Sequence, residues 1–290
     1  MIAHLSAALL AALAVAPQQQ SDTTLAVAAD GRLELQNVME GSVTIRTWNQ
    51  AQARIVAEYD GDNAVEVRYS APTLSVRVRP ERLSDDLVDF EITIPDRMSV
   101  EANGIEMEFD AEGIGGNISI NTVDGSIAVA GGKGNITLNS VEGGVTLVGA
   151  EGNIALVSVD GDVSVSRSSG VISVQNVDGD ISLEGITSDN IEVNTVDGDL
   201  GYLGTIHDDG RYFLSTHDGD VTVAVPDGTN ARVSVSTFSG DLEADFPVTL
   251  SGDIDQRSFS FTIGSGTVSY THLRAHETTC CISYAVFCLK

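Results

Sequence analysis

The sequence predicts an all-β protein: a β-solenoid, or β-helix, of coils about 18–21 residues long, capped by an N-terminal β-rich segment. Three observations predict it. From Gly116 to Tyr202 the chain repeats about every 18 residues, marked by Val123-Asp124-Gly125-Ser126, Val141-Glu142-Gly143-Gly144, Val159-Asp160-Gly161-Asp162, Val177-Asp178-Gly179-Asp180 and Val196-Asp197-Gly198-Asp199. Within each unit apolar and short polar residues alternate, the period of a half-buried strand. No proline occurs between Asp96 and Val225, as expected where every backbone N–H is needed for a ladder.

Stacked at this period, the repeats align five apolar columns. Two precede the tetrapeptide, Ile118-Ile136-Ile154-Ile172-Ile191 and Ile120-Leu138-Leu156-Val174-Val193. Two follow it, Ile127-Val145-Val163-Ile181-Leu200 and Val129-Leu147-Val165-Leu183-Tyr202. The fifth is the valine of the tetrapeptide itself, and all five are expected to face the interior. Two short strands joined by turns fit in 18 residues, so each repeat reads as one coil leaning on its neighbours. The alternative is an antiparallel meander in which every Asp-Gly is a hairpin turn. The single register that aligns every column favours the solenoid.

In chain order, residues 1–16 hold an Ala/Leu-rich run, Leu5 to Ala16, ending Ala14-Val15-Ala16. That is the form of a signal peptide with a small-residue cleavage site; a buried N-terminal helix is the other reading. Residues 17–24 read as a linker. Residues 25–110 contain alternating runs such as Ser42-Val43-Thr44-Ile45 and Phe90-Glu91-Ile92-Thr93-Ile94 without a strict repeat, with turns at Asp60-Gly61-Asp62 and Pro72. They are expected to form a small sheet or irregular coils closing the stack. Residues 111–245 are the solenoid repeats, loosening after Tyr202 to a 21-residue step between Gly219 and Gly240. Residues 246–267, with Phe246, Phe259 and Phe261, are expected to cover the C-terminal end. Residues 268–290 break the pattern: Ser269 to Thr278 reads as translated adapter sequence, so 268–290 are expected to be a non-native read-through tail standing where the protein continues with at least one further repeat.

Charge narrows the function. The 290 residues carry a formal net charge of −27, which argues against nucleic acid, whose affinity rests on Lys and Arg against phosphate. Eight of the fifteen basic residues lie between Arg32 and Arg97, so the acidity belongs to the repeats. An acidic, lysine-poor surface also suits a saline habitat. The three cysteines, Cys280, Cys281 and Cys288, all lie in the last eleven residues, leaving the body without a disulfide framework or a thiolate metal site. No stretch is long and apolar enough to span a bilayer, so no membrane span is expected in the mature chain.

From about Leu33 to Thr267 the chain resembles a bacterial envelope family labelled "putative adhesin", a domain of unknown function. The residues that carry the resemblance are Asn37-Val38 with Gly41-Ser42-Val43-Thr44-Ile45 and Trp48, then Phe90-Glu91-Ile92-Thr93-Ile94-Pro95, then the repeated Val-Asp-Gly-Asp cores. The resemblance implies a repeat β-fold, export or surface exposure in the periplasm or at the cell surface, and no catalytic residues to transfer.

Four candidate sites stand out. Asp160, Asp162, Asp178, Asp180, Asp197, Asp199, Asp218 and Asp220 flank successive turn glycines. Repeated at a rung spacing of about 4.8 Å, such a row of hard oxygens suits Ca²⁺. Against this, Asp-Gly is ordinary turn chemistry, and the Gly-Gly-x-Gly-x-Asp of the nonapeptide calcium roll is missing. His207, Asp208, Asp209, His217 and Asp218 form a His/carboxylate group for a general base or a metal, or else His217 fills the corner that Val occupies elsewhere. Asn117, Asn135 and Asn153 recur in three consecutive coils as a stacked amide ladder. Ser119, Thr137 and Ser173, with Thr146, Ser164 and Ser182, form outward polar rows that either bind a glycan or are an ordinary exposed β-face.

These features favour a non-enzymatic, exported scaffold that binds a cell-surface polymer or an envelope protein, with no cofactor other than the calcium considered above. An envelope-stress or regulatory accessory protein is the alternative. A polysaccharide lyase on the same fold is disfavoured because Lys133, Arg167, Arg211 and Arg232 are too scattered to set a base beside calcium.

Overall fold

The structure is a computed structural model that describes residues 19–37, 40–59, 64–79, 87–226, 228–240, 242–244, 251–253, 258–264, 270–278 and 286–289. The signal-like run, the Asp60-Gly61-Asp62 turn, Phe246 and the Cys280-Cys281 pair lie outside the described residues.

Each repeat contributes two strands, and every strand pairs in parallel with its equivalent in the next coil. Ile118–Asn121 sits on Lys133–Asn139, which sits on Glu151–Val157 and then Ser169–Gln175. On the second sheet Ile127–Ala130 is followed by Val145–Val148, Val163–Ser166 and the first half of Ile181–Asn194. The register is the one set by the repeat: Ile118 faces Ile136, Ile136 faces Ile154, Ile154 faces Ile172 and Ile172 faces Ile191, all buried. This is a solenoid and not a meander. Every column residue is stacked on its like, so each added rung both buries aliphatic surface and completes a hydrogen-bond ladder.

The parallel stack extends beyond the repeats. Ser99–Asn103 and Met107–Glu112 form a coil directly under Ile118–Ala130, and Arg32–Gln36 with Gly41–Trp48 form the coil below that. The next coil outward, Thr73–Arg79 with Val88–Pro95, comes later in the chain. The segment expected as a cap is therefore made of irregular coils in an order that departs from the sequence. Two antiparallel additions finish the end. Ala64–Ser70 pairs with Thr73–Arg79, and Gln52–Tyr59 with Gln19–Ala26 extends the other sheet. They replace bare parallel edges with antiparallel ones carrying charged side chains such as the Arg54–Asp22 pair at 2.7 Å.

After Glu184 the coils widen. One extra residue shifts the register between Glu184 and Ile186 and again between Ser169 and Val171, matching the first repeat step longer than 18. At the C-terminal end Tyr270–Thr278 runs parallel between Arg211–Ser215 and Ala231–Gly240, and Val286–Leu289 pairs antiparallel with Val221–Ala224. The segment set apart by its sequence from residue 268 onward thus contributes strands to both sheets. Phe261, on Ser258–Ile263, is buried at this end.

One column departs from expectation. Val123, Val141, Val159, Val177 and Val196 lie outside, 40–48% exposed, and the residue before each of them is buried instead. The cause is parity. Positions 118, 120 and 122 point the same way along an extended chain, so Thr122 continues the inward row and Val123 must face out. The interior therefore has four aliphatic columns and a fifth, polar one: Thr122, Ser140, Ser158, Asn176, Thr195 and Thr216.

Candidate functional site

The corner joining the two sheets gathers most of the unusual chemistry. Its buried polar column satisfies carbonyls that the turn leaves unpaired. Ser140 Oγ donates to the Gly125 carbonyl at 3.1 Å, Thr216 Oγ1 to Gly198 at 3.1 Å, and Asn176 Nδ2 to Gly161 at 3.1 Å and Gly179 at 2.9 Å. A short donor is needed here because a buried carbonyl without a partner is costly. Directly after the exposed valine, or after His217 in the last case, Asp124, Glu142, Asp160, Asp178, Asp197 and Asp218 bridge in parallel from coil to coil. Gly161, the turn residue that follows, has φ +137°, and a Cβ there would lie 2.7 Å from the Gly143 carbonyl carbon. The turn glycine is thus fixed both by conformation and by the closeness of the coil behind it.

The second acid of each core has a local role. Asp162 Oδ1 accepts the Asp180 N–H at 2.9 Å, Asp180 Oδ1 that of Asp199 at 2.8 Å, and Asp199 Oδ1 that of Asp220 at 2.7 Å. The eight aspartates weighed as a calcium edge therefore form two columns, Asp160-Asp178-Asp197-Asp218 and Asp162-Asp180-Asp199-Asp220, on either side of the turn glycines. Among the described residues no three His, Cys, Asp or Glu side chains converge as a metal cluster.

His207, Asp208 and Asp209 stand exposed in a turn closed by the Gly210 N–H on the His207 carbonyl at 2.9 Å. His217 is exposed at the corner, in the place of the valines. Behind this turn Tyr202 and Tyr212 are buried, with ring centroids 6.0 Å apart. Tyr202 Oη donates to the Thr205 carbonyl at 2.8 Å, and Tyr212 Oη donates to Ser188 and accepts the His207 N–H. Burial pushes both phenols above their ordinary range.

The outward faces carry ladders in register. Asn153 Nδ2 donates to Asn135 Oδ1 at 3.1 Å, and the Asn135 N–H to Asn117 Oδ1 at 3.0 Å, so the expected asparagine column is present. Ser119, Thr137, Ala155 and Ser173 align on one sheet, and Ala128, Thr146, Ser164 and Ser182 on the other.

The sequence model of the Toastrack DUF4097 family matches residues 31–278, most of the chain. The chain belongs to the Toastrack DUF4097 family. None of the curated proteins matches it. Among solved structures, this Toastrack chain is similar to a "putative adhesin" from Parabacteroides distasonis, at 10% identity and TM-score 0.44 over 90% of this chain and 97% of that one. A "putative adhesin" from Parabacteroides merdae is similar at 8% identity and TM-score 0.36, with the same shares covered. A "putative lipid binding protein" from Parabacteroides distasonis follows at 9% identity and TM-score 0.30, again over 90% and 97%.

Three features of this Toastrack fold escaped the sequence reading. Asn103, Asn121 and Asn139 form a second amide ladder, with Nδ2–Oδ1 distances of 2.9 and 2.6 Å; their spacing of 18 residues was the available signal. Arg68, Arg77 and Arg79 gather on the end hairpin around Glu66, which pairs with Arg68 and with Arg79 at 2.9 Å. That cluster appears only when the two strands are paired. The third is the exposed valine row, which position parity alone would have revealed.

Proposed function

We propose that this protein is a non-enzymatic, exported envelope scaffold whose repeated faces bind a cell-surface polymer or an envelope protein. The observation that carries this reading is the in-register stacking of short polar side chains on both sheets, Ser119, Thr137 and Ser173 in a row with Ala155 on one and Thr146, Ser164 and Ser182 in a row with Ala128 on the other. Such a face offers a ligand the same donors and acceptors at intervals of about 4.8 Å, which suits an extended, repetitive partner. Export is supported by the signal-like run at Leu5–Ala16. Among the described residues no helix is long and apolar enough to cross a membrane.

The test is co-sedimentation and calorimetric titration of the full chain with insoluble and soluble envelope polysaccharides, alongside an ultraviolet assay for unsaturated sugar products. Binding without product supports the scaffold. Product formation would replace it with the lyase, and no binding to any polymer or envelope extract would remove the reading.

A further inference from the structure

Along the corner, Ile105, Val123, Val141, Val159, Val177 and Val196 are each 40–48% exposed. Their backbones are locked rung to rung: the Glu142 N–H donates to the Val123 carbonyl at 2.7 Å, Asp160 to Val141 at 2.8 Å, Asp178 to Val159 at 2.9 Å and Asp197 to Val177 at 2.8 Å. The six side chains therefore form a continuous ridge about 24 Å long. Its apolar surface is roughly 400 Å², the size at which an exposed patch on a monomer usually has a use. Turn chemistry does not demand this. The position is solvated, and Ser, Asn or Asp would serve a turn at least as well.

Beside the ridge, at every rung, stands an exposed acid: Glu106, Asp124, Glu142, Asp160, Asp178 and Asp197. This column dictates the occupant. A second copy laid ridge to ridge would bring two carboxylate columns together, and an anionic bilayer would be repelled in the same way. An apolar stripe flanked by cations meets both columns at once. A helix presents one residue per turn along its stripe at about 5.4 Å, close to the rung spacing, and about 16 helical residues span the ridge.

We propose that this corner binds a cationic amphipathic helix of a partner protein, its apolar stripe on the Ile105–Val196 ridge and its Lys and Arg side chains against the Glu106–Asp197 column. The proposal deepens the scaffold reading, on which it rests, by naming a protein partner and a surface separate from the polar sheet faces.

The experiment titrates the full chain into a fluorescent Leu/Lys amphipathic peptide of about 18 residues, with Ser/Lys and Leu/Glu versions as controls. The expected result is saturable binding of Leu/Lys alone, weakened by salt. The fourfold variant Val123→Thr, Val141→Thr, Val159→Thr and Val177→Thr keeps β-branching and size, and should bind about tenfold or more weakly. Equal binding of Ser/Lys peptide, or an unchanged Kd in the variant, would reduce the effect to bulk charge and overturn the proposal; the peptide comparison needs no variant to fold. Absence of Leu/Lys binding also overturns it. Zwitterionic vesicle binding lost in the variant would assign the ridge to membrane, and variant-sensitive dimerisation to a second copy, each against the proposal. Polymer binding by the sheet faces would survive all of these outcomes, so its failure and this one are distinguishable.

Discussion

Replacing Gly161 with alanine tests the corner at its tightest point. Two costs are legible in the structure. At φ +137° the backbone occupies a region that L-residues rarely adopt, which costs about 1–3 kcal/mol. The new Cβ would also lie 2.7–3.0 Å from three backbone atoms of Gly143 and Gly144, so the coils must separate locally. That movement strains the Gly143 N–H bond to Asp160 at 2.8 Å and the Gly161 N–H bond to Asp178 at 3.0 Å, each worth about 1 kcal/mol net. The sum is about 3–5 kcal/mol. Gly149 is the internal control, since it has φ +69° but nothing within 4 Å of an added Cβ. Gly149→Ala meets only the left-handed penalty, about 1 kcal/mol, part of which is offset by a stiffer unfolded chain. Urea unfolding followed by circular dichroism measures both. A Gly161→Ala variant within about 1 kcal/mol of Gly149→Ala would refute close backbone stacking at the corner.

Two further outcomes are expected. Ile154→Ala removes a buried column residue and should cost about 2–5 kcal/mol in urea unfolding, whereas Val159→Ala, on the exposed ridge, should stay within about 0.5 kcal/mol; equal costs would return the valine to the interior. Stability should also fall as pH rises above about 10, because unfolded tyrosines ionise there while Tyr202 and Tyr212, raised by burial, keep their protons. The unfolded state then binds fewer protons, so the loss reaches up to about 1.4 kcal/mol per pH unit for each phenol. Thermal melts of Tyr202→Phe and Tyr212→Phe should each flatten that alkaline slope, and an unchanged slope would exclude them as its source.

The four aliphatic columns were legible because burial imposes a period of two within a strand and a period of 18 between coils, and Ile118, Ile136 and Ile154 satisfy both. The valine column was misread by following hydrophobicity where parity decides: Thr122 is polar yet inside because it holds corner carbonyls, and Val123 is apolar yet outside. The coil order at the N-terminal end was not legible, since nothing in Arg32–Gln36 alone indicates that it lies between Thr73–Arg79 and Ser99–Asn103. The insertion of Tyr270–Thr278 between Arg211–Ser215 and Ala231–Gly240 is a similar long-range choice, made by a segment without the repeat's signature. The acidic edge could be read from Asp-Gly spacing. That Asp162, Asp180 and Asp199 each hold the next coil's backbone N–H required the rungs to be in place.

Each repeat forms one rung, with equivalent corner residues stacked directly on one another. Spin labels at Val123 and Val196, four repeats apart and exposed, measure this by double electron–electron resonance. Parallel coils predict a separation near ~19 Å, four rungs at about 4.8 Å. An antiparallel meander spends two strands on each repeat, and a separation near ~38 Å would contradict the solenoid.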